Sequence, residues 1–132
     1  MSTKKTLMRK STFIFCLFAV IILISCKKEV KNYTLGIDVQ SQFENDSVEV
    51  FLDNEVLIKK RLSTNNLVGV CTDGIIRTTK TTGNHALKII INNTSTLNQN
   101  FTINKDVYIG INFDPSTHAI SVVYADDPFL YE

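Results

Sequence analysis

Nucleophilic chemistry in this chain would have to use Cys71 together with one of the two histidines, His85 and His118. A thiol becomes a catalytic nucleophile only when a base lies within hydrogen-bonding reach. Cys71 ends the apolar run Leu67–Cys71, and a thiol in such a run is typically buried and inert. We therefore expect no enzyme, and a small hydrolase built on such a pair is the least favoured alternative.

Metal chemistry would depend on acidic turns. Asp114 and His118 flank the turn Pro115–Thr117, and Asp126 and Asp127 are adjacent. Turns favour aspartate for backbone reasons alone, and neither EF-hand spacing nor paired cysteines nor a phosphate-binding glycine loop occurs. We predict no metal and no cofactor, and hydrogen bonding within the turn accounts for Asp114 and His118.

The first 25 residues have the pattern of a secretory signal peptide. Four basic residues and no acid occur among the first ten, and an apolar run follows from Phe13 to Ile24. Twelve helical residues reach about 18 Å, which is too short for a hydrocarbon core of about 30 Å. We predict a helical signal peptide over residues 1–25, a short tether over 26–32 and one domain over 33–132.

The end of the apolar run is more specific. Leu23-Ile24-Ser25-Cys26 resembles the lipobox of bacterial lipoproteins. The resemblance implies cleavage between Ser25 and Cys26, a diacylglyceryl group on the Cys26 thiol, and a fatty acid such as palmitate on the new amino group. Several acyl chains on one residue anchor a protein stably, so the expected partner of Cys26 is the membrane. Cys16 would leave with the leader, and Cys71 would have no disulfide partner.

The residues after Cys26 indicate which membrane is involved. Lys27-Lys28-Glu29 has no aspartate directly after the cysteine and looks like the start of many Bacteroidota lipoproteins. The resemblance implies attachment to the outer membrane, with the cell surface as one of its two faces. Asp46-Ser47-Val48 resembles the O-glycosylation motif of the same group, which makes Ser47 a candidate modification site.

The remaining chain has the pattern of short strands. Apolar and polar residues alternate over Tyr33–Val39 and again over Val107–Phe113. Asp53-Asn54 predicts a two-residue hairpin and Gly83-Asn84 a further turn, while 92–99 is expected to be a polar connection. Seven to eight such strands with no helical period predict an all-β, antiparallel β-sandwich of immunoglobulin-like size, with a small barrel as the alternative.

Charge and aromatic residues narrow the function. Four of the 14 basic residues precede Cys26 and all 13 acids follow it, so the chain from Cys26 carries ten basic and 13 acidic residues, a net charge of −3. That balance argues against nucleic acid as a partner. Phe51, Tyr108 and Tyr131 are expected outside the inner faces, as candidate ligand contacts. We expect a lipid-anchored envelope module that binds or scaffolds, with an envelope protein or a glycan as partner. A carbohydrate-binding surface module is the alternative.

Overall fold

The computed structural model describes residues 28–132. Its regular secondary structure is mostly β-strand. Residues Lys31–Glu132 make one compact unit. Within the described range, the helical structure consists of a 3₁₀ turn at Thr72–Gly74. The eight strands, numbered in chain order, are β1 (Asn32–Val39), β2 (Asp46–Leu52), β3 (Glu55–Leu62), β4 (Ile75–Thr81), β5 (Gly83–Ile91), β6 (Ser95–Ile103), β7 (Val107–Asp114) and β8 (Ala119–Ala125).

The strands form two four-stranded sheets. Sheet I has the order β4-β1-β7-β8, and sheet II has the order β3-β2-β5-β6. The predicted all-β sandwich of seven to eight strands is confirmed. Its strand order differs from that of immunoglobulin constant domains, where the first, second, fifth and fourth strands share a sheet. The likeness to immunoglobulins is therefore one of size and layering.

One strand pair departs from the antiparallel expectation. β1 and β7 run parallel, with Leu35 opposite Val107 and Val39 opposite Ile111. The other neighbouring pairs in both sheets are antiparallel. The parallel pair arises because β7 enters sheet I at the end where β1 begins. Such a pairing between distant segments leaves no local signal in the sequence.

The core lies between the two sheets and is built from alternate residues of the central strands. Both sheets contribute aliphatic side chains with no exposed surface: from sheet I these include Leu35, Ile37, Ile109 and Ile111, and from sheet II Val48, Val50, Ile89 and Ile91. Burial of each such side chain stabilises the fold by about 1.5–3 kcal/mol. The same alternation directs the intervening side chains to the outer faces, where the functional candidates lie.

The connections are of two kinds. Hairpins join β2 to β3, β5 to β6 and β7 to β8, and the remaining connections cross between sheets. Asp53 and Asn54 have φ of 49° and 66°, which confirms the predicted two-residue hairpin. The predicted turn at Gly83-Asn84 is wrong, because both residues belong to β5. Thr82 alone joins β4 in sheet I to β5 in sheet II.

The expected polar connection over 92–99 is also wrong. Residues 92–94 make the turn, and β6 begins at Ser95. β6 is an edge strand whose inner face carries Leu97, Phe101 and Ile103, while its outer face is polar throughout. An edge strand buries only part of one face, so its sequence resembles that of a loop.

Candidate functional site

A fully buried carboxylate lies on the outer face of sheet I, where a polar residue facing solvent was expected. Asp38 of β1 has no exposed surface. Arg77 on the neighbouring strand β4 donates hydrogen bonds to both carboxylate oxygens, through Nη1 and Nη2. The hydrogen bond to Asp38 raises the pKa of Arg77 further above its ordinary value. Such a partner is required because a buried, unpaired carboxylate costs several kcal/mol.

The second partner of Asp38 comes from the segment that follows β8. The Tyr131 hydroxyl donates to Asp38 Oδ2 at 2.8 Å and accepts from Gln40 Nε2 at 3.0 Å. Burial raises the pKa of Tyr131 to about 12, and the hydrogen bond to Asp38 acts in the same direction. Residues 126–132 form no strand; Tyr131 fixes them to the outer face of sheet I.

Two glycines let large side chains lie flat on this face. A Cβ on Gly36 would collide with the Tyr108 ring, and a Cβ on Gly110 would come within 2.5–2.7 Å of the Gln40 amide. Tyr108 is only 9% exposed, and Arg77 Cζ lies 5.4 Å from the centre of its ring. The glycines therefore make room for the side chains that surround Asp38.

The polar contacts continue along the sheet. Asn112 Nδ2 donates to Gln40 Oε1 at 3.1 Å, and the Ser41 hydroxyl donates to Asn112 Oδ1 at 2.6 Å. We call the set formed by Asp38, Arg77, Tyr131, Gln40, Asn112 and Ser41 the Asp38 network. Its two charged groups, Asp38 and Arg77, pair with each other. The network thereby connects β4, β1, β7 and residues 126–132. An aspartate in an alternating strand is the one sign of this network that the sequence contains.

A histidine–aspartate pair lies at the opposite sheet, beside the β2–β3 hairpin. His85 Nδ1 lies 2.7 Å from Asp53 Oδ2, and His85 Nε2 lies 2.7 Å from the Thr81 carbonyl oxygen. Both ring nitrogens thus face oxygen atoms of the protein, and both are occupied by contacts within the sandwich. Neither nitrogen has a lone pair aimed at a substrate, so His85 is not placed to act as a general base.

Asp53 is held as a carboxylate in this pair. Burial acts to raise its pKa, but hydrogen bonds from the Ala86 N–H and from His85 outweigh burial, and the pKa of Asp53 lies below its ordinary value. The pair fixes the hairpin to the start of β5.

Cys71 is buried, as the sequence predicted. It is 1% exposed, and its Sγ lies 3.7 Å from Thr64 Oγ1 and 3.8 Å from the Gln40 carbonyl oxygen. Burial raises the pKa of the Cys71 thiol, which disfavours the nucleophilic thiolate.

The turn before β8 uses its aspartate internally. Asp114 Oδ1 accepts from the Ser116 N–H at 2.9 Å and from the Ser116 hydroxyl at 2.6 Å. These hydrogen bonds hold the pKa of Asp114 below its ordinary value. His118 adopts a positive φ of 57° in this turn, and its ring lies 6.4 Å from that of Phe113. Asp126 pairs with Lys105 at 2.8 Å. Within residues 28–132, no three His, Cys, Asp or Glu side chains converge where a metal ion would bind.

An open polar depression lies on the outer face of sheet II. Two adjoining hollows, of about 430 and 200 Å³, share Ala86 and Asn100 as lining residues. We call them together the Ala86 trough. The hairpin residues Asp53 and Asn54 border it on one side, and β6 borders it on the other. Its other outward-facing lining residues are Asn84, Lys88, Asn98 and Thr102.

The predicted ligand-contact residues do not share one surface. Phe51 is half-buried on the outer face of sheet II, with Lys88 Nζ 5.9 Å from its ring centre. Tyr108 and Tyr131 lie on the outer face of sheet I, inside or against the Asp38 network. Tyr108 is on the expected face, yet Arg77 covers it. Of the three, Phe51 alone lies near an open depression.

The remaining sequence candidates lie at the margins of the sandwich or outside it. Ser47, the candidate O-glycosylation site, is half-buried in β2, and its N–H donates to Asn92 Oδ1 at 2.9 Å. Ser25 and Cys26 lie outside the described residues. From residue 28 onward, no helix is both long and apolar enough to cross a bilayer.

No protein-family model matches this chain. No curated protein and no solved structure is significantly similar to it. The class of this protein is therefore described by its fold and its surfaces. It is an eight-stranded β-sandwich with the Asp38 network on the outer face of one sheet and the Ala86 trough on the outer face of the other.

Proposed function

We propose that this chain is a lipid-anchored binding or scaffolding module of the bacterial cell envelope. The observation that carries the proposal is the motif Leu23-Ile24-Ser25-Cys26, placed six residues before the first strand at Asn32. Acyl chains on Cys26 would be the membrane contact, and the outer membrane is the proposed location. A net charge of −3 from Cys26 onward supports a partner other than nucleic acid.

The short tether supports a domain held close to the membrane. The five residues between Cys26 and Asn32 reach at most about 20 Å when fully extended. Thr82 N–H donates to the Lys31 carbonyl oxygen at 2.7 Å, so the chain enters the sandwich beside Thr82. Contacts of Lys27, Lys28 and Lys31 with anionic headgroups would add about 1 kcal/mol each to membrane attachment.

A binding role is supported over a catalytic one by the state of the reactive groups. His85 uses both ring nitrogens internally, and Cys71 is buried with a raised pKa. Asp38 is closed in by Arg77 and Tyr131. The open surface, by contrast, carries amides and a hydroxyl that suit recognition.

The anchoring is tested by changing one cysteine of the leader region at a time in the full chain. Cys26→Ala is expected to abolish incorporation of labelled fatty acid and to release the protein from the membrane fraction, because the thiol that carries the lipid is gone. Cys16→Ala is the matched control, since it removes a thiol from the same region, and we expect it to leave both unchanged. Unchanged labelling and unchanged sedimentation of Cys26→Ala would refute the proposal.

A further inference from the structure

We propose that β8 is an interaction surface for a second copy of this chain, and that two β8 strands pair edge to edge about a two-fold axis at Val122. This inference goes beyond the proposed function, because attachment to a membrane does not require self-association. Three observations carry it: the direction of the backbone groups of β8, the lack of charge along its edge, and the pairs that the strand forms with itself.

The backbone groups of alternate β8 residues point away from the sandwich, because β8 is an outer strand of sheet I. In β7, the Ile111 carbonyl oxygen accepts a hydrogen bond from the Gln40 N–H at 2.8 Å, so Ile111 bonds towards β1. Successive residues of a strand bond to opposite sides. The neighbours of Ile111 therefore bond to β8, where they lie opposite Ser121 and Val123. The β8 residues between these positions direct their N–H and C=O groups to the free edge; they are Ile120, Val122 and Tyr124.

Charge distinguishes the edge at β8 from the other edges of the two sheets. β3 carries Lys59, Lys60 and Arg61, and β4 carries Arg77 and Lys80. Charged side chains of this kind oppose the addition of another strand. β8 has the sequence AISVVYA, which contains no charged residue. β6 is also uncharged, but its sequence STLNQNFTI is mainly polar. β8 is therefore the edge that combines the lack of charge with apolar side chains.

β8 is complementary to itself in an antiparallel register. A two-fold axis at Val122 aligns all seven residues, and the pairs across the axis are Val122 with Val122, Ser121 with Val123, Ile120 with Tyr124 and Ala119 with Ala125. Because the outward-pointing residues then meet one another, this register makes about six backbone hydrogen bonds. A β-branched side chain opposite an aromatic ring is a favourable cross-strand pair. Pairing also covers Val123 and Tyr124, which are 49% and 38% exposed.

The residues just beyond the strand are complementary as well. In the same alignment, Asp126 of each copy lies opposite His118 of the other, so a carboxylate meets an imidazole that can donate to it. Asp126 pairs with Lys105 at 2.8 Å but its side chain is 67% exposed, and His118 is exposed. No like charges meet along the alignment. This match of the strand and its flanks with themselves favours a second copy over an unrelated strand.

The pairing is compatible with two anchors in one membrane. The two-fold axis between antiparallel strands is perpendicular to the sheet, so the same outer face of both copies points to the same side. The four strands of sheet I in each copy join into one continuous sheet. An edge-to-edge contact of this length is small, so we expect a dimer that forms and separates with concentration.

Sedimentation equilibrium of the full chain, in density-matched detergent with micelles in large excess, tests the association. We expect the mass to rise from that of a monomer to that of a dimer between about 1 µM and about 1 mM. Val123→Lys should weaken association at least tenfold, because two lysines then become diagonal neighbours across the axis. Val56→Lys is the matched control and should leave association unchanged, since Val56 is 51% exposed on the edge strand β3.

Disulfide formation tests the register. Ala119 and Ala125 face each other across the axis, whereas the two copies of Ala119 are ~20 Å apart because six residues of strand separate them. A mixture of Ala119→Cys and Ala125→Cys chains should therefore form a cross-linked dimer under mild oxidation, and neither chain alone should form one. Cys71 is buried in every chain.

Three results would overturn the proposal. The first is a monomer mass at every concentration, which is also the result expected if β8 pairs with a different protein. The second is equal association of Val123→Lys and the unaltered chain. The third is cross-linking of either single variant to the same extent as the mixture. Every chain compared carries the same Cys26, so failure of the dimer and failure of the anchor are separate outcomes.

Discussion

At the scale of single residues, the unusual feature of sheet I is the burial of Asp38. An aspartate at an outward position of a strand normally faces water, and here it has no exposed surface. A buried ion pair seldom adds net stability compared with apolar packing, but removing one partner is costly. We therefore expect the Asp38–Arg77 pair to add little net stability to the fold, whereas loss of either partner alone is costly.

Replacement of Arg77 tests this dependence. Arg77→Met keeps an unbranched stem over Tyr108 but leaves Asp38 with the Tyr131 hydroxyl as its remaining side-chain donor. We expect the free energy of unfolding to fall by about 2 kcal/mol, below the range for fully buried pairs because the arginine side chain is 37% exposed. Urea denaturation measures the change.

The matched control is a more exposed ion pair on sheet II. Lys59→Met breaks the contact between Lys59 Nζ and Glu49 Oε1, which are 3.5 Å apart, with the lysine side chain 68% exposed. We expect a loss of about 0.5 kcal/mol or less. Equal losses in the two variants would show that the burial of Asp38 has no energetic consequence.

At the scale of elements, Tyr131 connects the segment 126–132 to sheet I by side-chain hydrogen bonds. Tyr131 makes two side-chain hydrogen bonds, whereas Leu130 is 89% exposed. The apolar residues Phe129, Leu130 and Tyr131 favour a final edge strand or a plug of the sandwich, but residues 126–132 form no strand. Its docking depends on Asp38 and Gln40, which are more than ninety residues away along the chain.

The raised pKa of Tyr131 predicts how this docking responds to pH. Because the pKa is about 12 in the folded state and about 10 for an ordinary tyrosine, the folded chain binds the proton more tightly. The resulting stabilisation is complete below pH 10 and is lost as the pH rises from about 10 to about 12. We expect Tyr131→Phe to abolish this loss and to cost about 1–2 kcal/mol at neutral pH.

Urea denaturation of both chains at pH 8, 10 and 11 measures the difference. The comparison must be made between the two chains, because burial also raises the pKa of Tyr124. A gap between the two stabilities that does not narrow as the pH rises would contradict the prediction.

The edge strands of sheet II differ in how they oppose sheet-to-sheet association. β3 exposes three consecutive basic side chains, Lys59, Lys60 and Arg61. Charges along an edge oppose the addition of another strand. The other edge of sheet II, β6, carries no charged side chain, and its polar outer face borders the trough.

At the scale of the whole molecule, stability comes from the core between the sheets. Cys71 is the free cysteine of the described residues, and it is buried, so no disulfide cross-links the sandwich. The core must therefore be sufficient by itself, and access to Cys71 should report on opening of the entire unit.

The labelling rate of Cys71 tests this cooperativity. In the native chain we expect reaction with Ellman's reagent to be at least a hundredfold slower than in urea, because the thiol is buried and its pKa is raised. The rate should rise in parallel with the unfolded fraction. Cys71→Ala supplies the background from other thiols. Fast labelling before the unfolding transition would mean that the 63–74 loop opens independently.

Some features of the fold were accessible from the sequence because they are local. The alternation in β1 and β7 showed which residues enter the core, since a strand directs successive side chains to opposite faces. Asp53-Asn54 identified a hairpin because few residues tolerate a positive φ at two consecutive positions. The burial of Cys71 followed from its apolar neighbours.

The sequence by itself determined the all-β class, the core residues and the motif at Cys26 that predicts a lipid anchor. Each of these depends only on the pattern of residues close together in the chain. The tertiary structure alone decided the parallel pair β1–β7, the burial of Asp38 and the position of β8 at an edge of sheet I. These depend on which distant strands become neighbours. Packing of the whole core decides which strands are neighbours, so no short segment of the sequence predicts it.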